Sequence, residues 1–143
     1  MPDDLKNNIK VMRSIAPVAV GTTGTGQTGK VIDRAGFESV TFLINYGTVT
    51  ATGATHTVVV KEGDVTGTMT SVADADLIGT EALAGLAAGA RTSGTGKNVT
   101  KRVGYKGKKR YVQCGVKSTA TAGTLVSVTA VLHSPLVSPT SNP

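Results

Sequence analysis

The chain has 143 residues, a formal net charge of +6 and a single cysteine, Cys114. This length suits one compact domain, and a lone cysteine cannot form an internal disulfide. The chain has no apolar run of about 18 residues, and its polar start lacks the pattern of a secretory signal. We therefore expect one domain with neither a membrane span nor an export signal.

Composition predicts the fold class. Threonine, valine and glycine dominate with 22, 19 and 18 residues, whereas aromatic residues make up 3% and tryptophan is absent. β-branched residues favour strands, and glycine favours the tight turns between them. We expect an all-β chain folded as a single antiparallel β-sandwich or jelly-roll-like domain over residues 1–133, with about seven to nine strands. Residues 1–8 are candidates for an N-terminal arm, and residues 134–143 form a Pro/Ser-rich extended tail.

In the first half of the chain, Pro17 confines the run Ile15–Val20 to an edge strand or a strand start. Residues 21–30 are rich in glycine and predict a loop. Strict alternation over Phe37–Tyr46 predicts a central strand with one apolar face. Residues 54–61 predict another strand, which we expect to end at a turn over residues 62–64.

The second half begins with a change of composition. Alanine and leucine concentrate in residues 70–89, but three glycines interrupt the run, so we expect a long connection with at most a short helix. Three β-branched runs follow at residues 97–106, 108–118 and 123–133. Turn residues separate them, and the pattern predicts a three-stranded meander with a hairpin turn at Gly107.

Residues 24–30 satisfy G-x-G-x-x-G and the first seven positions of a phosphate-binding P-loop. Both motifs need a helix directly after the loop, because the helix N-terminus holds the phosphate. Here a predicted strand follows within a few residues, and Val31 occupies the position of the metal-binding hydroxyl. We interpret the segment as a low-complexity loop rather than a nucleotide site.

No catalytic, metal-binding or cofactor-binding residue is predicted. His56 and His133 lie in strand-like runs, where exposed or hydrogen-bonded histidines are the simpler reading. Cys114 alternates with Val112 and Val116, which predicts a small core residue rather than a nucleophile. The clustered acids lack calcium-binding spacing and are interpreted as turn or cap carboxylates: Glu62, Asp64, Asp74 and Asp76.

Charge is distributed unevenly along the sequence. Residues 1–81 contain all nine acids and carry −3, whereas residues 82–143 contain nine bases and no acid. Such asymmetry predicts binding to an acidic surface or head-to-tail association between copies, with a merely solvated basic face as the alternative. The residues we expect to form the partner interface are Lys101, Arg102, Lys106, Lys108, Lys109 and Arg110. The shortage of aromatic residues favours an acidic protein over nucleic acid as the partner.

Several runs together point to a known group of proteins. The runs are residues 72–80, 103–112 and 128–135, with residues 7–11 and 15–17 near the start. They resemble small proteins encoded among the head genes of tailed bacteriophages and prophages, which are similar to capsid decoration, or cement, proteins. The resemblance implies a β-sandwich or jelly-roll module that binds the major capsid protein on the outer surface of the virion, often as a trimer. It implies no catalytic residues and no cofactor.

We therefore expect a non-enzymatic structural protein of a phage virion that stabilises the head. A neck or tail component of the virion is the nearest alternative. A basic nucleic-acid-binding protein is the alternative from a different class, and it would bind DNA in a strongly salt-dependent manner.

Overall fold

The computed structural model describes residues 4–21, 25–49, 53–89, 91–93 and 97–136. Within them lie ten strands, one short helix, α1 (Glu81–Ala84), and 3-10 turns at Lys6–Asn8 and Asp74–Asp76. The strands are β1 (Lys10–Gly21), β2 (Gln27–Thr28), β3 (Ile32–Asp33), β4 (Phe37–Tyr46), β5 (His56–Val65), β6 (Thr68–Ser71), β7 (Leu77–Ile78), β8 (Thr100–Tyr105), β9 (Tyr111–Ser118) and β10 (Ala122–Pro135).

The strands form two antiparallel sheets. Sheet A has the order β1-β10-β4-β8-β7, and sheet B has the order β2-β9-β5-β6, with β3 also paired to β9. The chain passes back and forth between the sheets in the manner of a jelly roll. This confirms the predicted all-β sandwich.

The core lies between the sheets and follows the period-two pattern. On β4, the inward side chains are the buried Val40, Phe42, Ile44 and Tyr46. This strand lies between β10 and β8, so the prediction of a central strand is confirmed. Cys114 faces inward from β9 and is fully buried, as its alternation predicts.

The proline-bearing strand β1 forms an edge of sheet A, in agreement with the prediction. Its register against β10 shifts between Ile15 and Val18, on either side of Pro17. Bulges of this kind let a strand with a missing N–H remain paired on one side.

The expected turn at residues 62–64 is wrong. Strand β5 continues to Val65, and the chain turns at Thr66–Gly67 into β6, which the sequence pattern did not indicate. The register shifts between Glu62 and Val65. Gly63 is buried there, and a Cβ atom on it would lie 2.4 Å from the carbonyl oxygen of Thr68. The glycine therefore serves a close approach between strands rather than a turn.

The predicted meander is also wrong, although its three strands exist. β8 and β10 belong to sheet A on either side of β4, whereas β9 belongs to sheet B. Residues 106–110 connect β8 to β9 and therefore cross between sheets. Packed sheets lie about 10 Å apart, and five extended residues reach about 17 Å, so this connection is long enough to cross.

The glycine-rich loop over residues 21–30 contains a strand that the sequence did not predict. β2 pairs with Val116 and Gly115 of β9. The N–H of Gly29 donates to the carbonyl of Cys114, and the N–H of Lys30 donates to the carbonyl of Ser14. These backbone amides join the two sheets, and a short strand, β3, follows the loop in place of a helix.

The connection before β8 carries the short helix expected there. Thr80 caps α1 by accepting a hydrogen bond from the N–H of Leu83, and Glu81 Oε1 accepts from the N–H of Val60 on β5.

No helix in the described part of the chain is long and apolar enough to cross a membrane. β10 runs to Pro135, two residues into the predicted tail, and residues 137–143 lie outside the described residues, as do residues 1–3 of the predicted arm.

Candidate partner interface

The six residues predicted to form one basic interface lie in two places. Lys101 and Arg102 are neighbours on β8, opposite Ile44 and Leu43 respectively, so their side chains point to opposite faces of sheet A. The other four residues lie in the connection between β8 and β9. We call residues 106–110 the basic loop.

Tyr105 anchors the basic loop. Its ring is fully buried, and its hydroxyl donates to Glu62 Oε2 at 2.5 Å while accepting from the N–H of Lys109 at 3.0 Å. Burial, followed by the hydrogen bond to Glu62, raises the pKa of Tyr105 to about 12. The phenol therefore stays protonated and can donate to the carboxylate at neutral pH.

Gly107 fits against the same ring. A Cβ atom at this position would lie 2.5 Å from the Tyr105 hydroxyl oxygen and 2.6 Å from its Cζ atom. These distances are well below van der Waals contact, and the buried ring has little room to move. The loop can follow this path only with glycine at position 107.

Two loop cations are paired within the chain. Lys109 Nζ lies 2.5 Å from Asp64 Oδ2. Arg110 forms a bidentate ion pair with Asp33, in which Nε donates to Oδ1 at 3.1 Å and Nη2 donates to Oδ2 at 2.9 Å. The Arg110 hydrogen bond holds the pKa of Asp33 below its usual range. Both pairs are half-exposed and contribute little to stability, but they orient the loop.

Arg34 belongs to this region and was missed by sequence reasoning. Its guanidinium lies 5.5 Å from the centre of the Tyr105 ring, and its Nε donates to the carbonyl of Lys109. Its Nη1 donates to the carbonyls of Phe37 and Glu38. Because these partners are backbone carbonyls and a ring, no charge pattern in the sequence could reveal them.

Lys106 and Lys108 are the loop cations that remain for a partner. Both are exposed, and neither forms an ion pair in the described part of the chain. The backbone N–H of Lys106 donates to the carbonyl of Asp76, which fixes the start of the loop. The loop thus presents two free charges on a backbone that is held at several points.

The charge asymmetry along the sequence does not become two oppositely charged halves in space. Each sheet contains strands from both halves, and Asp33 and Asp64 from the acidic half neutralise Arg110 and Lys109 from the basic half. The expectation of head-to-tail association loses this support, because part of the charge complementarity is satisfied inside the chain.

Reactive side chains lie mainly in the core. Burial raises the pKa of Cys114 to about 12, so the group remains a thiol at neutral pH. His133 shares a 2.9 Å hydrogen bond with Thr41, as expected for a satisfied strand residue. The same expectation is wrong for His56, which is 1% exposed and whose ring nitrogens have no hydrogen-bond partner among the described residues. It packs edge-to-face on Tyr46. The described residues contain no cluster of three or more metal-ligating side chains.

Comparisons with known proteins concern the fold. No protein-family model matches the chain, and no curated protein sequence matches it. The solved structure of the SPBc2 prophage-derived protein YomS is similar, with a TM-score of 0.54 and 16% identity over 89% of this chain and 94% of that chain. The likeness therefore extends over nearly all of both proteins.

Two other solved structures show weaker similarity. The CBM22-1 xylan-binding domain of Paenibacillus barcinonensis Xyn10C has a TM-score of 0.41 and 11% identity, over 88% of this chain and 99% of that one. The tobacco streak virus coat protein has a TM-score of 0.36 and 15% identity, over 99% of this chain and 96% of that one.

Proposed function

We propose that this chain is a non-enzymatic structural protein of a tailed-phage virion and acts as a decoration protein on the outer surface of the capsid. The likeness of its fold to a prophage-derived protein over nearly all of both chains carries the proposal. The resemblance of its sequence to head-gene proteins points in the same direction. Its direct partner is the major capsid protein, and it binds as a homo-oligomer, with a trimer as the expected form.

The geometry of the basic loop suits such a role. A protein that attaches to a preformed shell needs charged groups held in place before contact, because ordering them on binding would reduce affinity. Tyr105, Arg34 and two ion pairs hold the loop while Lys106 and Lys108 remain free. These two lysines attract an acidic area of the shell and speed association.

Reconstitution tests the proposal. Capsid shells assembled without this protein, from the phage or prophage that encodes it, are mixed with the purified chain and sedimented. We expect saturable binding in a fixed ratio to the major capsid protein. No co-sedimentation at low or moderate salt would contradict the proposal, while binding only to isolated necks or tails would support the alternative position in the virion.

A further inference from the structure

The outer face of sheet A presents an ordered pattern of apolar side chains. Residues directly opposite one another in paired strands point to the same face, so the register defines rows across the sheet. One outward row consists of Val11, Val131, Thr41, Gly104 and Ile78. The next row consists of Arg13, Thr129, Leu43 and Arg102. We call these two rows, with Leu125 beyond them, the sheet A face.

Apolar exposure is concentrated on this side of the sandwich. Val11, Ile78 and Leu125 are 42%, 52% and 59% exposed. Among the described strands, sheet B contributes only Val65 to the large exposed hydrophobic side chains. The outward positions at the centre of sheet B are mostly polar instead, and include Thr57, Lys61, Gln113 and Lys117. These exposed side chains are spread over one face, with the half-buried Val131 and Leu43 between them, and apolar surface on one face favours contact with another protein.

The charges of the sheet A face have one sign. Arg13 and Arg102 occupy the two ends of one row, three strand spacings or about 14 Å apart. Both are exposed, and neither forms an ion pair in the described part of the chain. No outward position on the described strands of this sheet carries a carboxylate. The face is therefore complementary to an acidic surface.

We propose that the sheet A face docks onto an acidic protein surface that places carboxylates on both sides of a group of apolar side chains. The apolar side chains of Val131, Leu43 and their neighbours on the face supply the buried centre, and each guanidinium can bind a carboxylate through two parallel hydrogen bonds. Arginine is enriched among the residues that dominate binding energy at interfaces. The identity of the partner as the capsid shell rests on the proposed function, whereas the location and chemistry of the face do not.

Two other occupants fit the face less well. A second copy that packed the same face against itself would bring four guanidinium groups together with no carboxylate on either side. Nucleic acid would leave the row of Val11, Val131 and Ile78 against phosphates that need hydrogen-bond donors. The observations therefore favour an acidic protein over both.

The first arm of the test uses capsid shells that lack this protein. The double variant Arg13→Glu/Arg102→Glu should lower affinity for the shells at least about tenfold, whereas Lys61→Glu/Lys117→Glu, which makes the same charge change on sheet B, should change it less than about threefold. The variant Val11→Thr/Val131→Thr keeps the shape and charge and should also weaken binding. Equal effects of the two charge-reversed variants would overturn the proposal, and circular dichroism confirms that each variant is folded.

The second arm does not depend on the shell. A synthetic peptide that alternates glutamate with leucine is titrated into the isotopically labelled protein at low salt, alongside a lysine–leucine peptide and duplex DNA. Amide shifts that cluster on β1, β10, β4 and β8 with the glutamate peptide alone support the inference, even if the wild-type chain fails to bind shells and the proposed function is wrong. Shifts confined to the basic loop or sheet B, no shifts, or the same shifts with DNA would overturn it.

Discussion

The phenol of Tyr105 donates a 2.5 Å hydrogen bond to the carboxylate of Glu62, and the two residues belong to different sheets. Tyr105 ends β8 in sheet A, and Glu62 lies on β5 in sheet B. The bond therefore closes one end of the sandwich beneath the basic loop. Because the same hydroxyl accepts a hydrogen bond from the N–H of Lys109, this contact helps to fix the position of the loop.

Replacing Tyr105 with phenylalanine should loosen the loop. Tyr105→Phe leaves the Glu62 carboxylate and the N–H of Lys109 without their shared partner, which should lower the free energy of unfolding by about 1–3 kcal/mol. Tyr111→Phe is the matched control, because the Tyr111 hydroxyl makes no hydrogen bond within the described residues. Urea unfolding measures both. Equal stability of the two variants would show that the cross-sheet bond is unimportant.

Gly107→Ala tests the close approach of the basic loop to the Tyr105 ring. The added Cβ would lie 2.5 Å from the Tyr105 hydroxyl oxygen, so the ring or the loop must move, at a cost of about 1–3 kcal/mol. A Cβ at Gly123 would meet nothing within 4 Å, and Gly123→Ala should leave stability nearly unchanged. Thermal unfolding compares the two, and a Gly107→Ala variant as stable as the wild type would refute this packing.

The sequence predicts the parts of the fold that depend on local pattern. Alternation over Phe37–Tyr46 identifies a central strand, Pro17 identifies an edge strand, and the position of Cys114 between two valines identifies a core residue. Each of these follows from a residue and its near neighbours, since one buried face imposes a period of two and proline lacks the N–H that a central strand needs.

The arrangement of the candidate interface could not be predicted in this way. Gly107 fits a hairpin turn as well as a crossing between sheets, and only the packing of both sheets decides between them. The acids that neutralise Lys109 and Arg110 lie 45 and 77 residues away in sequence. The sheet A face depends on the register of four strand pairs, which no single segment encodes.

His56 should make stability depend on pH. Burial, and secondarily the charge of Arg91, lowers the pKa of His56 below the usual 6.5, so the folded state keeps it neutral. Between that lower pKa and 6.5 the unfolded chain binds a proton that the folded chain does not, so the free energy of unfolding falls as the pH falls through this window. The stability that depends on a neutral His56 is fully present above pH 6.5.

Urea unfolding at a series of pH values between 7 and about 5 measures the slope. His56→Leu should remove most of it, even if the variant is less stable at every pH. His133→Gln is the control and should retain a clear slope, although burial also lowers the pKa of His133. If His56→Leu retained the wild-type slope, the buried imidazole would not be its source.

The free lysines of the basic loop should act on binding rather than on folding. Lys106→Glu/Lys108→Glu should leave the melting temperature within about 2 °C of the wild type, because neither residue forms an ion pair in the described part of the chain. Association with capsid shells should become slower, most clearly at low salt. Reversing Lys109 and Arg110 as well would also break the contacts with Asp64 and Asp33, so the double variant is the cleaner probe. A large fall in melting temperature would contradict this prediction, because it would show that the two lysines stabilise the folded chain.

The number of copies per virion tests the central claim most directly. Quantitative mass spectrometry of purified particles compares peptides of this chain with those of the major capsid protein. A decoration protein is present on the order of hundreds of copies, because it follows the symmetry of the shell, whereas a neck ring contains about six or twelve. We expect the higher number. A count near six or twelve would move the protein to the neck or tail, and its absence from particles would contradict a structural role in the virion.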